Sequence, residues 1–311
     1  MEETGQSSLG SFDASVDASE AETGSEGSEE EVVGVTKVDY TVENDGDEPY
    51  PVVHVFGRNS GGELKHVVVE GFEPYFYAPE HEVDDPEDDE RVTGTETGYE
   101  SIDGEDLTRI YTRIPADVGE VREPYTHYEA DILFPNRFRV DKDVKSGVKV
   151  DALDGSDGKT RVSADSVEPR SVDAPARTMV VDIEVDDRSG FPEDGEEPVI
   201  CLTAWDSFEE EYHVFVQDID ASRVDEEKAE YVLHAYDDEV GMLNSFLSYL
   251  EEHDPDILTG WNSNDFDFPY LIDRLNQLDD PTMEPSRLSR VGEVWNSGGE
   301  WGSPTIKGRA T

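Results

Sequence analysis

The stretch MVVDIEVDD, Met179 to Asp187, decides how the rest of the chain is read. Side chains alternate along a strand, so Met179, Val181, Ile183 and Val185 share one face, apolar enough to be buried in a sheet. Asp182 and Glu184 leave the opposite face together, their Cα atoms roughly 7 Å apart. Ionised acids are seldom buried unless they are paired or coordinate a metal. No Lys or Arg stands between Thr178 and Asp187, so a divalent cation is the natural partner. The single Cys201 rules out an internal disulfide and a Cys-rich zinc site, and the seven His show no HExxH-like spacing. Carboxylates alone would hold such a metal, which favours Mg²⁺ or Mn²⁺.

Working C-terminally, PVICLTAWD (198–206) and EYHVFVQD (211–218) read as two more strands, and three in succession predict an antiparallel meander. Asp237 or Asp238 then caps a helix with Met242, Leu243, Phe246, Leu247 and Leu250 on one face. His253-Asp254-Pro255 stops that helix, and Ile257–Trp261 is a short buried strand. A second helix follows, with Pro269 in its first turn and Leu271, Leu275 and Leu278 in a stripe. Beyond it, residues 289–311 predict a hairpin, and the chain closes on what reads as a strand with nothing to cover it.

Working N-terminally, 166–177 carries two prolines and reads as a linker. Ahead of it, 35–165 is a mostly β region: strands begin at Val35 and continue through 51–58, 64–71 and 74–80, with Gly61-Gly62 as a hairpin turn. A polar insertion runs from Glu80 to about Thr97, and 148–164 predicts a hairpin around a Gly/Asp turn. Residues 1–34 hold ten acids, no bases and one aromatic, the composition of a solvated tail. The fold class is therefore α/β (α+β), a mostly β N-terminal domain followed, over 178–311, by a mixed sheet with flanking helices.

Charge speaks of habitat before function. Seventy-seven acids against 24 bases give a net charge of −53, and only 8 of the bases are Lys. Such a surface suits concentrated salt, where self-repulsion is screened. The 29 aromatics and 35% hydrophobic content argue against a wholly disordered acidic chain. No run approaches the length of a membrane span and no secretory signal is visible, so a cytoplasmic setting is expected.

Asp267 lies at the strand-to-helix junction, where it faces the same cleft as Asp182 and Glu184 if the two strands are neighbours. Taken alone it reads first as a helix-start acid stabilised by the backbone and dipole. Order and spacing raise the odds: an Asp-x-Glu on the first strand, then a helix, a strand, and Asn262-x3-Phe266-Asp267 within TGWNSNDFDFPYL. That combination resembles the proofreading 3′→5′ exonuclease domain of family B DNA polymerases, with its ribonuclease H-like sheet. The resemblance implies phosphodiester hydrolysis with two divalent metal ions, Asp182, Glu184 and Asp267 as ligands, and Asn262 and Phe266 positioning the primer 3′ end.

Further upstream, FEPYFYA (72–78) and YEADI…F…R (128–137) resemble the N-terminal domain of archaeal members, which captures deaminated template bases. The resemblance places a template-base pocket on Tyr40, Pro74, Val118, Ile132, Phe134 and Arg137, although Leu133 stands where many relatives carry proline. Arg137 would hold a phosphate or brace the pocket. The implied partners are the DNA primer and template strands, the remainder of the polymerase and a sliding clamp, in a halophilic archaeal setting.

One departure stands out: no Tyr-x3-Asp, the family's third exonuclease motif, follows Asp267. The expectation is an N-terminal portion with an incomplete exonuclease domain, little nuclease activity of its own and no polymerase domain. Two rival readings remain, a non-catalytic nucleic-acid-binding module that reads template and a free-standing nuclease acting on RNA.

Overall fold

The computed structural model describes residues 30–296 and 304–311, apart from 45, 47, 152–157, 189, 191, 193–194 and 219–229. Most of the predicted acidic tail lies outside the described residues. Its last five do not behave as tail, because β1 spans Glu30–Asn44 and begins inside it. The reason is charge pairing with distant segments: Glu30 meets Lys149 at 2.6 Å and Glu31 meets Lys65 at 2.9 Å, so acids read as solvated are held on a sheet.

β1 sits at the centre of a six-stranded sheet with β2 (Pro49–Arg58), β3 (Leu64–Glu70), β7 (Gly147–Asp151), β8 (Thr160–Ser163) and β9 (Glu168–Arg170), in the order β8-β3-β2-β1-β7-β9. The hairpin at Gly61-Gly62 is present, with Gly62 at a positive φ of 83° that a side chain would strain. The hairpin predicted over 148–164 is not. β7 pairs with β1 and β9, whereas β8 pairs with β3 at the far edge. Alternation marks a strand but does not choose its neighbour. The predicted linker likewise contributes β9 to the sheet, and Val172 packs against Gly34 and Gly147 where a Cβ would collide.

A three-stranded sheet, β4 (Tyr75–Pro79), β6 (Asp106–Thr112) and β5 (Val92–Glu100), stands beside the first. β5 starts within the stretch read as a polar insertion. Two short helices, α1 (Asp117–Val121) and α2 (Phe134–Asp141), follow.

The meander predicted around the opening stretch is observed. β10 (Thr178–Val185), β11 (Val199–Asp206) and β12 (Glu211–Gln217) pair antiparallel in turn, and β14 (Ile257–Thr259) adds to β10 in parallel. β13 (Val232–Tyr236), which the sequence did not reveal, extends the sheet in parallel beyond β12. The helix α3 (Glu239–His253) starts where Asp238 accepts a hydrogen bond from the Gly241 N–H at 2.8 Å, and Asp254 ends it in a left-handed conformation. Met242, Leu243, Phe246, Leu247 and Leu250 are fully buried against Met179, Val181, Phe215 and the apolar stripe of α4 (Phe268–Gln277). Truncating one such Leu to Ala typically costs about 2–5 kcal/mol.

The terminal hairpin, β15 (Val294–Trp295) with β16 (Thr305–Ile306), is present, but its end is not uncovered. Ile306, Lys307 and Arg309 are buried, and the Leu258 N–H donates to the Ala310 carbonyl at 2.8 Å. The segment lies between the two larger sheets. There Arg58, Arg290 and Arg309 converge on Asp254, Pro255 and Asp256, a charge network that length and composition give no hint of. Among the described residues no helix is long and apolar enough to cross a membrane.

Candidate active site and base pocket

β10 places its acids as alternation requires. Met179, Val181 and Ile183 are buried, and Asp182 and Glu184 emerge on the exposed face. Across β11, Asp182 stands opposite Thr203 and Glu184 opposite Cys201. Burial pushes the Cys201 thiol up, a hydrogen bond with Thr203 opposes this, and the charges of Glu184 and Asp182 add to it. Cys201 and Thr203 therefore belong to the floor of the site. Their membership depends on strand register, which periodicity does not encode.

Asp267 reaches the same place by a different route. β14 runs beside β10 only as far as Thr259, opposite Val180. Gly260 then passes so close that a Cβ would lie 2.2 Å from the Val181 carbonyl oxygen, which excludes every other residue. Trp261 is thrown out, 98% exposed, and Ser263–Asp267 forms a π-turn that feeds into α4. Such turns recur at functional positions because they re-aim one side chain against a regular helix. Here it is Asp267, whose Oδ1 accepts the Ile183 N–H at 3.3 Å, beyond the end of β14.

The resulting carboxylate is under-satisfied. Asp267 is 3% exposed, and its Oδ2 is buried without a hydrogen-bond partner in the protein. Burial raises its pKa, the Ile183 N–H lowers it, and the charge of Asp182 raises it further, leaving a net upward shift. No cationic side chain figures among these influences. A buried carboxylate with one bare oxygen beside a second carboxylate is a costly arrangement that a hard cation would relieve. The all-oxygen donor set fits such an ion. Among the described residues, however, no three His, Cys, Asp or Glu side chains stand together as a ready-made metal cage. The convergence is of Asp182 with Asp267, and Glu184 shares their side of β10.

Asn262 is exposed, and its carbonyl accepts the Phe266 N–H at 2.8 Å. Phe266 is partly buried and stacks on Tyr270 with ring centroids 5.4 Å apart. The two stand at the start and near the end of the turn that carries Asp267. Trp261, beside them, was not singled out from sequence, although a Trp next to the Asn262 motif was there to be noticed.

Tyr40, Pro74, Val118, Ile132, Phe134 and Arg137 all line one cavity of about 590 Å³. Tyr40 meets Phe134 edge-on at 5.4 Å, and Val118 and Phe134 are buried. The Arg137 guanidinium donates to the Glu129 carboxylate at 2.5 Å and to the Glu129 carbonyl at 2.9 Å, and lies 4.5 Å from the Tyr75 ring centroid. Leu133, at the position where proline was expected, is 70% exposed. Trp295, Thr305 and Lys307 from the terminal hairpin line the same cavity and were not anticipated.

The family B DNA polymerase of the hyperthermophilic archaeon Pyrobaculum calidifontis superposes with a TM-score of 0.70 over 90% of this chain and 36% of that one, at 24% identity. Residues 125–303 match the family model described as DNA polymerase family B, exonuclease domain, and the chain belongs to that family. Among curated relatives, the DNA polymerase delta catalytic subunit of Oryza sativa subsp. japonica is 25% identical over 306 residues, covering 78% of this chain and 28% of its own length. A DNA polymerase of Thermococcus sp. is 27% identical over 264 residues, covering 78% of this chain and 29% of its own length. The chain thus spans less than a third of the curated relatives it matches.

Proposed function

We propose that this chain is the template-reading and proofreading portion of a family B DNA polymerase, with β1 to β9 forming the N-terminal domain and 178–311 the exonuclease domain. In this reading Asp182, Glu184 and Asp267 hold Mg²⁺ or Mn²⁺ and trim DNA from its 3′ end. The observation that carries it is the bare Oδ2 of buried Asp267 beside Asp182.

When bound, the metal ions would activate water and stabilise the leaving 3′ oxygen. The chain's own residues set the stage for this. The Ile183 N–H fixes the Asp267 carboxylate, the close passage at Gly260 fixes the turn, and Asn262 and Phe266 flank the path of the primer end. Exposed Trp261 offers a face on which an unpaired base of any identity can stack. The cavity at Tyr40 and Phe134 receives a template base. DNA, the remaining polymerase and a sliding clamp are the partners in this reading, in a salt-rich archaeal cytoplasm to which the −53 charge and scarcity of Lys are suited.

Because no Tyr-x3-Asp follows Asp267 to complete the ligand set, turnover by this chain alone is expected to fall orders of magnitude below that of an intact relative. Calorimetry with Mn²⁺ decides between hydrolysis and a template-reading module that binds no metal, the rival that the missing third ligand favours. Uptake lost in Asp182→Ala and Asp267→Ala supports the nuclease site, together with slow Mn²⁺-dependent shortening of 5′-labelled single strands. Uptake that is absent, or indifferent to both variants, supports the module.

A further inference from the structure

Across the strand pair that carries the acids, one donor is of a different kind. β11 sets Cys201 directly opposite Glu184 and Thr203 directly opposite Asp182, so the thiol and both carboxylates leave the same face of the sheet. Directly opposed residues of an antiparallel pair hold their Cβ atoms roughly 4.5–5.5 Å apart. One ion spans side-chain donors at that range, with metal–sulfur bonds of about 2.3 Å and metal–oxygen bonds of about 2.0–2.2 Å for Zn²⁺. On its other side Cys201 stands opposite Val216 of β12, so the thiol lies where the acid cleft meets an apolar strand. Cys201 is half-buried, and Asp267, 3% exposed, brings an unpartnered Oδ2 to the same cleft beside Asp182.

We propose that Cys201 and Glu184 bind a thiophilic divalent cation, of the Zn²⁺ and Cd²⁺ class, at the border of the carboxylate site, and that such an ion displaces Mn²⁺ from it. This rests on the metal-site proposal above and adds a donor that sets which ions the site prefers. Carboxylates are hard donors that suit Mg²⁺ and Mn²⁺, whereas a thiolate is soft and selects Zn²⁺ and its heavier relatives. A site of oxygens alone gives thiophilic ions no sulfur bond, and a single sulfur at its border tips the ranking towards them. On coordination the thiol gives up its proton to solvent, and water fills the positions that two protein donors leave. Glu184 is common to both arrangements, so an ion held by Cys201 takes a ligand from Mn²⁺. Trimming of a 3′ end is thereby shut off reversibly by thiophilic ions.

The test is ultraviolet difference spectroscopy of the full chain titrated with Cd²⁺ in concentrated sodium sulfate, since chloride would compete for the ion. Cys201 is the only Cys of the chain, so a sulfur-to-metal charge-transfer band reports on it alone. The band is expected in the wild type, independent of protein dilution, to be lost in Cys201→Ser, and to need roughly tenfold or more Cd²⁺ in Glu184→Gln. Electron paramagnetic resonance of Mn²⁺ follows the competition: Cd²⁺ is expected to release Mn²⁺ from the wild type at roughly tenfold lower concentration than from Cys201→Ser. Thermal melts establish that each variant is folded. If either does not fold, alkylation of wild-type Cys201 decides: a rate unchanged by the Cd²⁺ that releases Mn²⁺ overturns the proposal, and a rate slowed by it supports the proposal. Mn²⁺ uptake without a sulfur band, or a band indifferent to Glu184→Gln, overturns this inference and leaves the carboxylate site intact. A wild-type chain that takes up no Mn²⁺ overturns the metal-site reading and this inference with it.

Discussion

Replacing Asp267 with Asn separates a structural acid from a metal ligand. In the folded chain the Asp267 carboxylate is 3% exposed, uses one oxygen on the Ile183 N–H and leaves the other bare beside Asp182. Asn keeps the acceptor for Ile183 and puts an amino group where the bare oxygen was, able to donate to Asp182. Leaving a buried polar group unsatisfied costs about 1–3 kcal/mol, more when it is charged, so Asp267→Asn should stabilise the metal-free protein by about that amount. For domains of 150–250 residues this raises Tm by roughly 2–4 °C per kcal/mol. The sign with pH follows from the raised pKa. The folded state holds the Asp267 proton more tightly than the unfolded state, so wild-type stability falls as pH rises from the ordinary carboxylate range through the raised folded value. Asn does not titrate there, and the gap between variant and wild type opens with rising pH. Metal reverses the ranking: at a hundredfold excess over Kd, binding adds about 2.7 kcal/mol to the wild type and little to the variant. Thermal melts in EDTA and across a Mn²⁺ titration, at several pH values, read all of this. An Asp267→Asn protein that is less stable than wild type in EDTA at neutral pH, or that gains the same Mn²⁺ shift, refutes the reasoning.

Asp256, fully buried, accepts from Arg58 at 2.5 Å, Arg290 at 3.0 Å and the Arg177 N–H at 2.9 Å, so Asp256→Ala leaves buried Arg58 with carbonyl partners alone and takes from Arg290 one of its two carboxylates. Denaturant unfolding should register a loss of about 3–5 kcal/mol; a loss under 1 kcal/mol would contradict the role given to this network. His54 lies between Thr41 at 2.8 Å and His66 at 2.9 Å, and burial, reinforced by Lys159, Lys307 and Arg161, lowers its pKa to about 4. The unfolded chain binds the proton first, so stability drops as pH falls from about 6.5 to about 4, by on the order of 3 kcal/mol. His54→Gln should flatten that slope in pH-dependent melts, and an unchanged slope assigns it elsewhere. With a net charge of −53, the fold should depend on screening, the Debye length shrinking from about 10 Å at 0.1 M salt to about 3 Å at 1 M. Far-UV circular dichroism across a KCl titration should show structure lost at low salt, and a full spectrum without added salt would contradict the prediction.

Periodicity and local chemistry alone determined β10 with its two acids on one face, the helix α3 with its cap at Asp237 or Asp238, the meander and the glycine hairpin at Gly61-Gly62. Each is set by side chains within a few residues of one another, where alternation, capping and turn preference act. The order of Asp182, Glu184, Asn262, Phe266 and Asp267 along the chain was enough to suggest the family. Tertiary structure decided which strands became neighbours: β7 and β8 on opposite sides of β1 and β2, β13 added beyond β12, and acids Glu30 and Glu31 drawn into the sheet by Lys149 and Lys65. It also decided that Asp267 meets Ile183 beyond the end of β14, and that Lys307, 267 residues on from Tyr40, lines a cavity with it beside Trp295. Those outcomes rest on close approaches and shared charges between distant segments, which hydrophobic patterning along one segment does not encode.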